Sequence, residues 1–506
     1  MAFYLSSRKL DIRTGDAKIA LINEADAGEN GVGIGDKVQL EIEGQKRRFI
    51  VTLDTTASLV EEGEIGFFED VWGKHGIKYG EVVKVTFVPP SKAVESIRKK
   101  LLGGKLEYEE IFSIIKEISQ DNLGKILTTY YAAAGYSPGF DADEMFYMTK
   151  AMAETGDILR FKGIVADKHS IGGVAGKGIT PIVVPIVSCF EDITVPNTST
   201  RAITSASATT DMLEVIVPMS FSKEALESIM LKSNVFMVWG GGLDLAPADD
   251  KIIQVQKPLG IESIDKFVAS IVAKKIAQGV NHVVFDVPVG KGAKIESEDD
   301  FLRVKTTFER VAAKFGIKVS IFRRNVTGID GNAVGPSLEC REFLRVFERD
   351  ERRSRQLEED ALKITGNLLE LCGKAEKGKG YDKAKGILES GQAYKKLKEI
   401  IELQGGNREI TSNSLEIGGV TYEYKSKKAG IVDHINSKRV FEVCRALGNP
   451  RIKEAGMYFY KKPGDAVEVD DRLVTLYATT EGRLDLARKV LDNVEIIKIR
   501  EAKLGR

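Results

Sequence analysis

The sequence predicts a multidomain α/β protein. A small N-terminal β-barrel, a helical domain, a large α/β domain around a central mixed sheet, and a C-terminal α+β domain of barrel-sandwich type follow one another. Three observations predict it. At 506 residues the chain exceeds what one ordinary core supports. Its hydrophobic periodicity changes character along the chain, from β to helical to alternating and back to β. Glycine- or hydroxyl-rich loops also follow several central strand-like runs, as in open sheets whose loops meet at a ligand.

Residues 1–88 carry short β-branched runs, "AKIALINEADA", "DKVQLEIEG", "KRRFIVTLD" and "EVVKVTFV", separated by Gly/Asp turns. This barrel holds no site motif and is expected to serve oligomerisation. Pro89, Pro90 and Ser91 then break the chain, and Ser91 offers a helix N-cap. Residues 89–163 place apolar residues three and four apart and form the helical domain, which part of 212–235 is expected to join. Residues 164–348 alternate strand-like runs, "PIVVPIV", "NVFMVWGG", "HVVFDVPVG" and "IKVSIF", with amphipathic helices such as "SIDKFVASIVAKKIAQG". Residues 349–506 form the last domain. It opens with a Lys/Glu-rich helical section to about 404, expected to face solvent, and returns to β in "KAGIVDHI" and "GMYFYKKPGDAVEVDDRLVTLYA".

Composition narrows the function. The 43% hydrophobic and 29% charged content is that of a soluble globular protein. Basic and acidic residues number 74 each, so no nucleic-acid or membrane field is expected, and an anionic substrate needs a local site. Cys189, Cys340, Cys372 and Cys444 lie far apart with no CxxC pair and read as reduced thiols. No metal motif stands out. The start of the chain lacks a signal-peptide core and no segment has bilayer-spanning length, so a cytoplasmic location is expected.

Four loops carry the functional signal. "DKHSIGGVAGKGIT" (167–180) sets four glycines beside Lys168, His169 and Ser170. Glycines let backbone N–H groups approach an anion, and a helix starting nearby adds its positive end. On spacing alone this is a phosphate cradle or an ordinary solvated loop; it fits neither the Walker loop nor GxGxxG. "NTSTRAITSASATTDMLE" (197–214) has eight Ser/Thr and one Arg, suited to an anion or a ribose, or to a plain helix start. "WGGGLDLAPADD" (239–250) and "FDVPVGKGAK" (285–294) complete the set.

"KHSIGGV", "TRAITSASATTDMLE" and "ASIVAKK", in that order, resemble the thymidine/pyrimidine-nucleoside phosphorylase superfamily. "TGIDGNAVGPSLECREFL" and the C-terminal β segment are similar to the corresponding parts of that family. The extra N-terminal β domain, "HSIGGV" and "LAPADD" look most like the archaeal AMP (nucleoside monophosphate) phosphorylases. This chain departs from their pattern in two places: GGVPGNKTT stands here as GGVAGKGIT, and SRAITSAAGTAD as TRAITSASATTD.

The resemblance implies phosphorolysis of nucleoside 5′-monophosphates, AMP and phosphate giving adenine and ribose 1,5-bisphosphate, in a cleft that closes over both substrates. The alternatives are a nucleoside phosphorylase without the 5′-phosphate and, remotely, a non-enzymatic carrier or assembly protein. Phosphate as co-substrate is expected, with no cofactor, in a homodimer or larger homo-oligomer. By motif, Lys168, Ser170, Thr180 and Ser199 would meet the attacking phosphate. Gly173, Thr200, Arg201, Ala202, Ile203, Thr204, Ser205, Thr209, Ser270 and Lys294 would meet the nucleotide, and Lys274 the base. A leaving base needs a proton, and the resemblance points to Glu262 as the donor, with Asp249 and Asp250 as rivals. His169 would orient the base or assist that transfer, or is a loop histidine bound to backbone.

Overall fold

The computed structural model describes residues 2–501 apart from 15–17, 46–47, 89–90, 177, 203–204, 257 and 259–262. The chain divides into two compact units, Met1–Thr155 with Ala248–Ile261, and Gly156–Pro247 with Glu262–Arg506. The segment that returns to the first unit is thus 248–261, and 212–235 lies in the second.

In the first unit six strands close into a barrel: β1 (Ala2–Leu10), β2 (Ile19–Asn23), β3 (Lys37–Ile42), β4 (Arg48–Thr56), β5 (Glu64–Phe68) and β6 (Val82–Phe87), in the order β1-β5-β2-β4-β3-β6. Two-residue alternation along β3 and β4 sends Val38, Leu40, Ile42, Phe49, Val51 and Leu53 into one core. Closure leaves no edge strand to pair elsewhere. Four helices follow, Lys92–Leu101, Tyr108–Ser119, Gly124–Ala133 and Ala142–Glu154. Ser91 caps the first, accepting a hydrogen bond from the Ala93 amide at 3.1 Å.

The second unit is built on β7 (Ile164–Ser170), β8 (Ile193–Ser199), β9 (Val235–Trp239), β10 (His282–Val289) and β11 (Lys318–Asn325), in the order β11-β10-β7-β8-β9. Every pairing is parallel, where a mixed sheet was expected. β7, β8, β9 and β10 are each followed by a crossover through helix rather than by a hairpin, which leaves no antiparallel neighbour. The chain enters at β7 in the middle, proceeds to β8 and β9, then returns to lay β10 and β11 on the other side. The topological switch point, where open α/β sheets hold ligands, therefore falls between the C-terminal ends of β7 and β10.

Side-chain alternation gives the sheet two unlike faces. Ala166 and Val284 point to a core shared with helices Thr180–Val187, Pro336–Phe347 and Arg355–Leu371. Val165, Val283, Phe285 and Val287 point to a second core under helices Ile264–Ala277 and Glu298–Lys314. Two expectations are corrected on the first face. "PIVVPIV", read as a strand, is helix, and all of its residues are buried. A short, wholly apolar run has no period to distinguish the two, and Pro181, at a helix start where its missing N–H costs nothing, was the usable signal. The Lys/Glu-rich section is not a solvent-facing appendage either. Leu357, Ala361, Leu362, Ile364, Leu368, Leu397, Ile400 and Ile401 lie in the main core, and most of the charges occupy the opposite stripe, Glu358 being buried.

Beyond it, strands Ala333–Val334, Gly456–Phe459, Arg472–Ala478 and Val420–Lys425 form one small sheet, and Ala466–Val467, Gly430–Ile435 and Ile497–Arg500 another. They share a core with helices Ser437–Leu447 and Glu481–Asp492. Among the described residues no helix is long and apolar enough to cross a membrane.

The loop after β7 shows why it needs glycine. Gly172, Gly173 and Gly176 all have φ between +82° and +92°. A Cβ on Gly173 would stand 2.5 Å from the Lys294 amide nitrogen, and one on Gly176 would collide with the Asp330 carbonyl oxygen. Gly176→Ala should therefore destabilise the protein by at least ~2 kcal/mol, from left-handed backbone plus displacement of the loop. Urea denaturation measures it; a change below ~0.5 kcal/mol, the scale of a neutral surface substitution, would contradict the close approach.

Candidate active site

Strand β7 presents its chemistry on alternating faces. Lys168 and Ser170 share the face of Ala166; Asp167 and His169 share the other. The first pair meets an unbroken row of charge. The Lys168 ammonium lies 3.5 Å from Asp286 Oδ2 on β10 and donates to Thr180 Oγ1, at the start of the helix after the glycine loop, at 3.3 Å. Ser170 also hydrogen-bonds Asp286. Arg324, near the end of β11, donates from Nε to Asp286 Oδ1 at 3.1 Å and from Nη2 to Asp286 Oδ2 at 3.4 Å. Its Nη2 also reaches Asp330 Oδ2 at 2.9 Å, and Nη1 bonds Asp330 Oδ1. Asp360 closes the row with its carboxylate 3.7 Å from Arg324 Nη1.

Burial governs how these groups titrate. It pulls the Lys168 amine below the ordinary lysine range, and Asp286 opposes the shift. Burial alone would raise the Asp286 carboxyl, but the charges of Arg324 and Lys168 and the bonds from Arg324 and Ser170 overcome it and hold it low. Arg324 is held charged by Asp330 and Asp286 against its own burial. Asp360 is pushed up to about 6 by burial, which Arg324 only partly offsets.

The opposite face is organised by Asp167. It accepts from Lys275 Nζ, from Asn197 Nδ2 at 2.7 Å and from the Lys168 amide at 2.8 Å. Lys275 also donates to Gln278 at 2.9 Å. Of the KK pair it is therefore Lys275 that turns inward, while Lys274 is half-buried with its charge felt by His169. His169 packs edge-on against Phe285, with ring centroids 6.3 Å apart. Burial and the charges of Lys275, Lys168, Lys274 and Lys294 hold its imidazole well below the ordinary histidine range. The ring is neutral at neutral pH, able to donate at one nitrogen and accept at the other. Ser270 is half-buried on the same helix as the KK pair, one turn before Lys274. Lys294, exposed, lies over the Phe267 ring at 4.3 Å from its centroid.

The hydroxyl loop leaves β8 beside this centre. Ser199 Oγ is 2.7 Å from Thr210 Oγ1. Asp211 receives the Ala202 amide at 2.7 Å and the Ala208 amide at 2.9 Å, which folds the loop back onto the start of its helix. Thr200 and Arg201 are exposed. The Arg201 guanidinium stacks over Trp239 at 4.2 Å and pairs with Glu214, which also takes Lys453 at 2.9 Å. Ser205 Oγ donates to the Ser207 carbonyl at 2.9 Å, and Thr209 opens the short helix Thr209–Leu213. Ile203, Thr204 and Glu262 lie outside the described residues. Asp249 is buried and Asp250 exposed on helix Pro247–Gln256, in the first unit.

Lys168, Ser170, Thr180, Gly173 and Lys294 thus gather around the β7–β10 switch point, with Ser199 and Arg201 at the end of the next strand. Sequence reasoning missed Asp167, Lys275, Asp286, Arg324 and Asp330. A lone Asp in the buried run "HVVFDVPVG" and an Arg in "IKVSIFRRN" were the available signals, because a charge in a covered strand requires a partner.

Comparison with known proteins bears on the same residues. Residues 94–156 match a family model described as "Glycosyl transferase family, helical bundle domain", and residues 162–394 one described as "Glycosyl transferase family, a/b domain". Residues 431–498 match "Pyrimidine nucleoside phosphorylase C-terminal domain". AMP phosphorylase 1 of Archaeoglobus fulgidus is 38% identical over 471 residues, 93% of this chain and 92% of that protein. AMP phosphorylase of Thermococcus kodakarensis is 38% identical over 99% of this chain and 98% of its own length. The crystal structure of anthranilate phosphoribosyltransferase from Thermus thermophilus shares the fold at TM-score 0.50 and 16% identity, covering 61% of this chain and 99% of that one.

Lys275→Met should cost ~3–5 kcal/mol in unfolding free energy, because it leaves the Asp167 carboxylate buried without its cation. Adding Asp167→Asn should recover most of the loss in the same denaturation measurement. A single variant as stable as the parent would contradict the assigned pair.

Proposed function

We propose, from the premise that the chain belongs to the AMP phosphorylase family, that it catalyses phosphorolysis of nucleoside 5′-monophosphates. AMP and inorganic phosphate are converted to adenine and ribose 1,5-bisphosphate. The observation that carries the reading is the buried Lys168 ammonium at the switch point, flanked by Ser170 and Thr180 and backed by glycine backbone.

A phosphate oxygen forms a bond to C1′ while the glycosidic C–N bond breaks, and its electron pair leaves with the base. Positive charge builds on the ribosyl ring, so the protein's tasks are to hold the nucleophile in line and to let the base leave protonated. Lys168, Ser170, Thr180 and Ser199 hold the phosphate. Gly173, Thr200 to Ser205, Thr209, Ser270 and Lys294 receive the nucleotide, with Arg201 and Lys294 the cations for its 5′-phosphate. Lys274 and the neutral His169 address the base, His169 by hydrogen bonding rather than as a cationic acid. Glu262 is assigned the proton donation. The same reading makes the enzyme a cytoplasmic homo-oligomer, assembled through residues 1–88, with phosphate as co-substrate and no cofactor.

Base release should be measured with AMP, adenosine and thymidine, with and without phosphate. AMP is expected to be preferred and release to require phosphate. Lys168→Ala should raise the phosphate KM at least about tenfold, the scale of one lost charge-assisted bond. Preference for a free nucleoside would replace the nucleotide reading with nucleoside phosphorolysis.

A further inference from the structure

The phosphate-facing residues lie on two consecutive parts of one stretch, a strand end and the glycine loop that follows it. Lys168 and Ser170 end β7, and the glycine backbone lies beyond them. Each part is fixed by a different carboxylate. Asp286 takes Lys168 and Ser170. Asp330 fixes the glycine loop through its backbone: its amide donates to the Ala175 carbonyl at 2.8 Å, and its own carbonyl oxygen is what a Cβ at Gly176 would strike. One side chain joins the two carboxylates. Arg324, 5% exposed, holds Asp286 from Nε and Nη2 and Asp330 from Nη1 and Nη2.

We propose that Arg324 is the positioning residue of the phosphate cradle, setting the Lys168–Ser170 end through Asp286 and the glycine backbone through Asp330. The inference rests on the phosphorolysis reading. Arg324 touches no substrate in it and acts through the two carboxylates. The chemistry requires arginine. A planar fork of five N–H donors grips two carboxylates at once in fixed geometry, which the three donors of a lysine at the end of a flexible stem do not reproduce. Arg324 also keeps Asp286 ionised in a buried place. That preserves Asp286 as an acceptor for Lys168 and Ser170. Its neighbour Arg323 points the other way, exposed and paired with Glu298, as strand alternation requires.

The test is steady-state kinetics of the full chain with AMP and phosphate varied independently, for the parent, Arg324→Lys, Asp330→Asn, Lys168→Ala and Lys168→Ala/Arg324→Lys. Arg324→Lys keeps the charge and loses the fork. It should raise the phosphate KM at least about tenfold while moving the AMP KM less than about threefold. Asp330→Asn, nearly isosteric, should raise the phosphate KM by about threefold or more in the same selective way. In the Lys168→Ala background Arg324→Lys should add less than about threefold to the loss in kcat/KM for phosphate, because both act on one function. Circular dichroism and melting establish which variants are folded, and Asp330→Asn decides alone if Arg324→Lys is not. A phosphate KM within about twofold of the parent in the folded variants, a change too small for a lost positioning contact, would overturn the inference. So would parallel losses in both substrates that multiply with those of Lys168→Ala, the mark of general structural damage. A parent that releases adenine at the same rate with and without phosphate overturns the phosphorolysis reading itself. A phosphate-dependent parent with unaffected variants overturns the role of Arg324 alone.

Discussion

A lysine buried at the end of a strand is tolerable only if its counter-charge is buried with it, and that constraint shapes the second unit. An unpaired buried charge costs several kcal/mol, and removing one member of a buried pair typically costs ~3–5 kcal/mol. Lys168 therefore brings Asp286, Asp286 brings Arg324, and Arg324 brings Asp330 and Asp360. The result is a row of alternating sign across the C-terminal ends of three adjacent strands. One turn deeper the same face is Ala166, Val284 and Phe322, apolar and packed under helix. The change from core to site takes place within two residues along each strand.

The row also explains the division of labour between the sheet's faces. Alternation along β7 sends Lys168 and Ser170 toward the helix that begins at Thr180, and Asp167 and His169 toward the helix that carries Ser270, Lys274 and Lys275. In the proposed reaction, phosphate and base are thus assigned to opposite sides of one strand end, which is what attack on one side of C1′ and departure on the other would require. The neutral His169, ringed by lysines, and the ionised Asp286, ringed by cations, are one electrostatic field acting on two unlike groups.

Much of this was legible beforehand. Period-two runs identified the barrel, three-and-four spacing identified the helical domain, and the order of "KHSIGGV", "TRAITSASATTDMLE" and "ASIVAKK" pointed to the family. The parallel sheet was not, because direction depends on how each connection crosses rather than on the strand's own residues. "PIVVPIV" was misread because a run buried on all sides carries no period. The carboxylates behind the cradle were invisible for another reason. Asp286 and Arg324 lie 38 positions apart, and only β10–β11 pairing brings them together. The glycine loop itself was ambiguous until the left-handed φ of Gly173 and Gly176 and their close approach to Lys294 and Asp330 showed what glycine is needed for.

The central claim is that the switch-point cradle delivers phosphate as the nucleophile. Phosphorus NMR of the enzyme with AMP and inorganic phosphate tests it most directly. The account requires inorganic phosphate and AMP signals to fall together, mole for mole with adenine formed, while two monoester resonances of a single ribose bisphosphate grow in. Adenine released with the inorganic phosphate signal unchanged would mean that water, not phosphate, attacks C1′, and would contradict it.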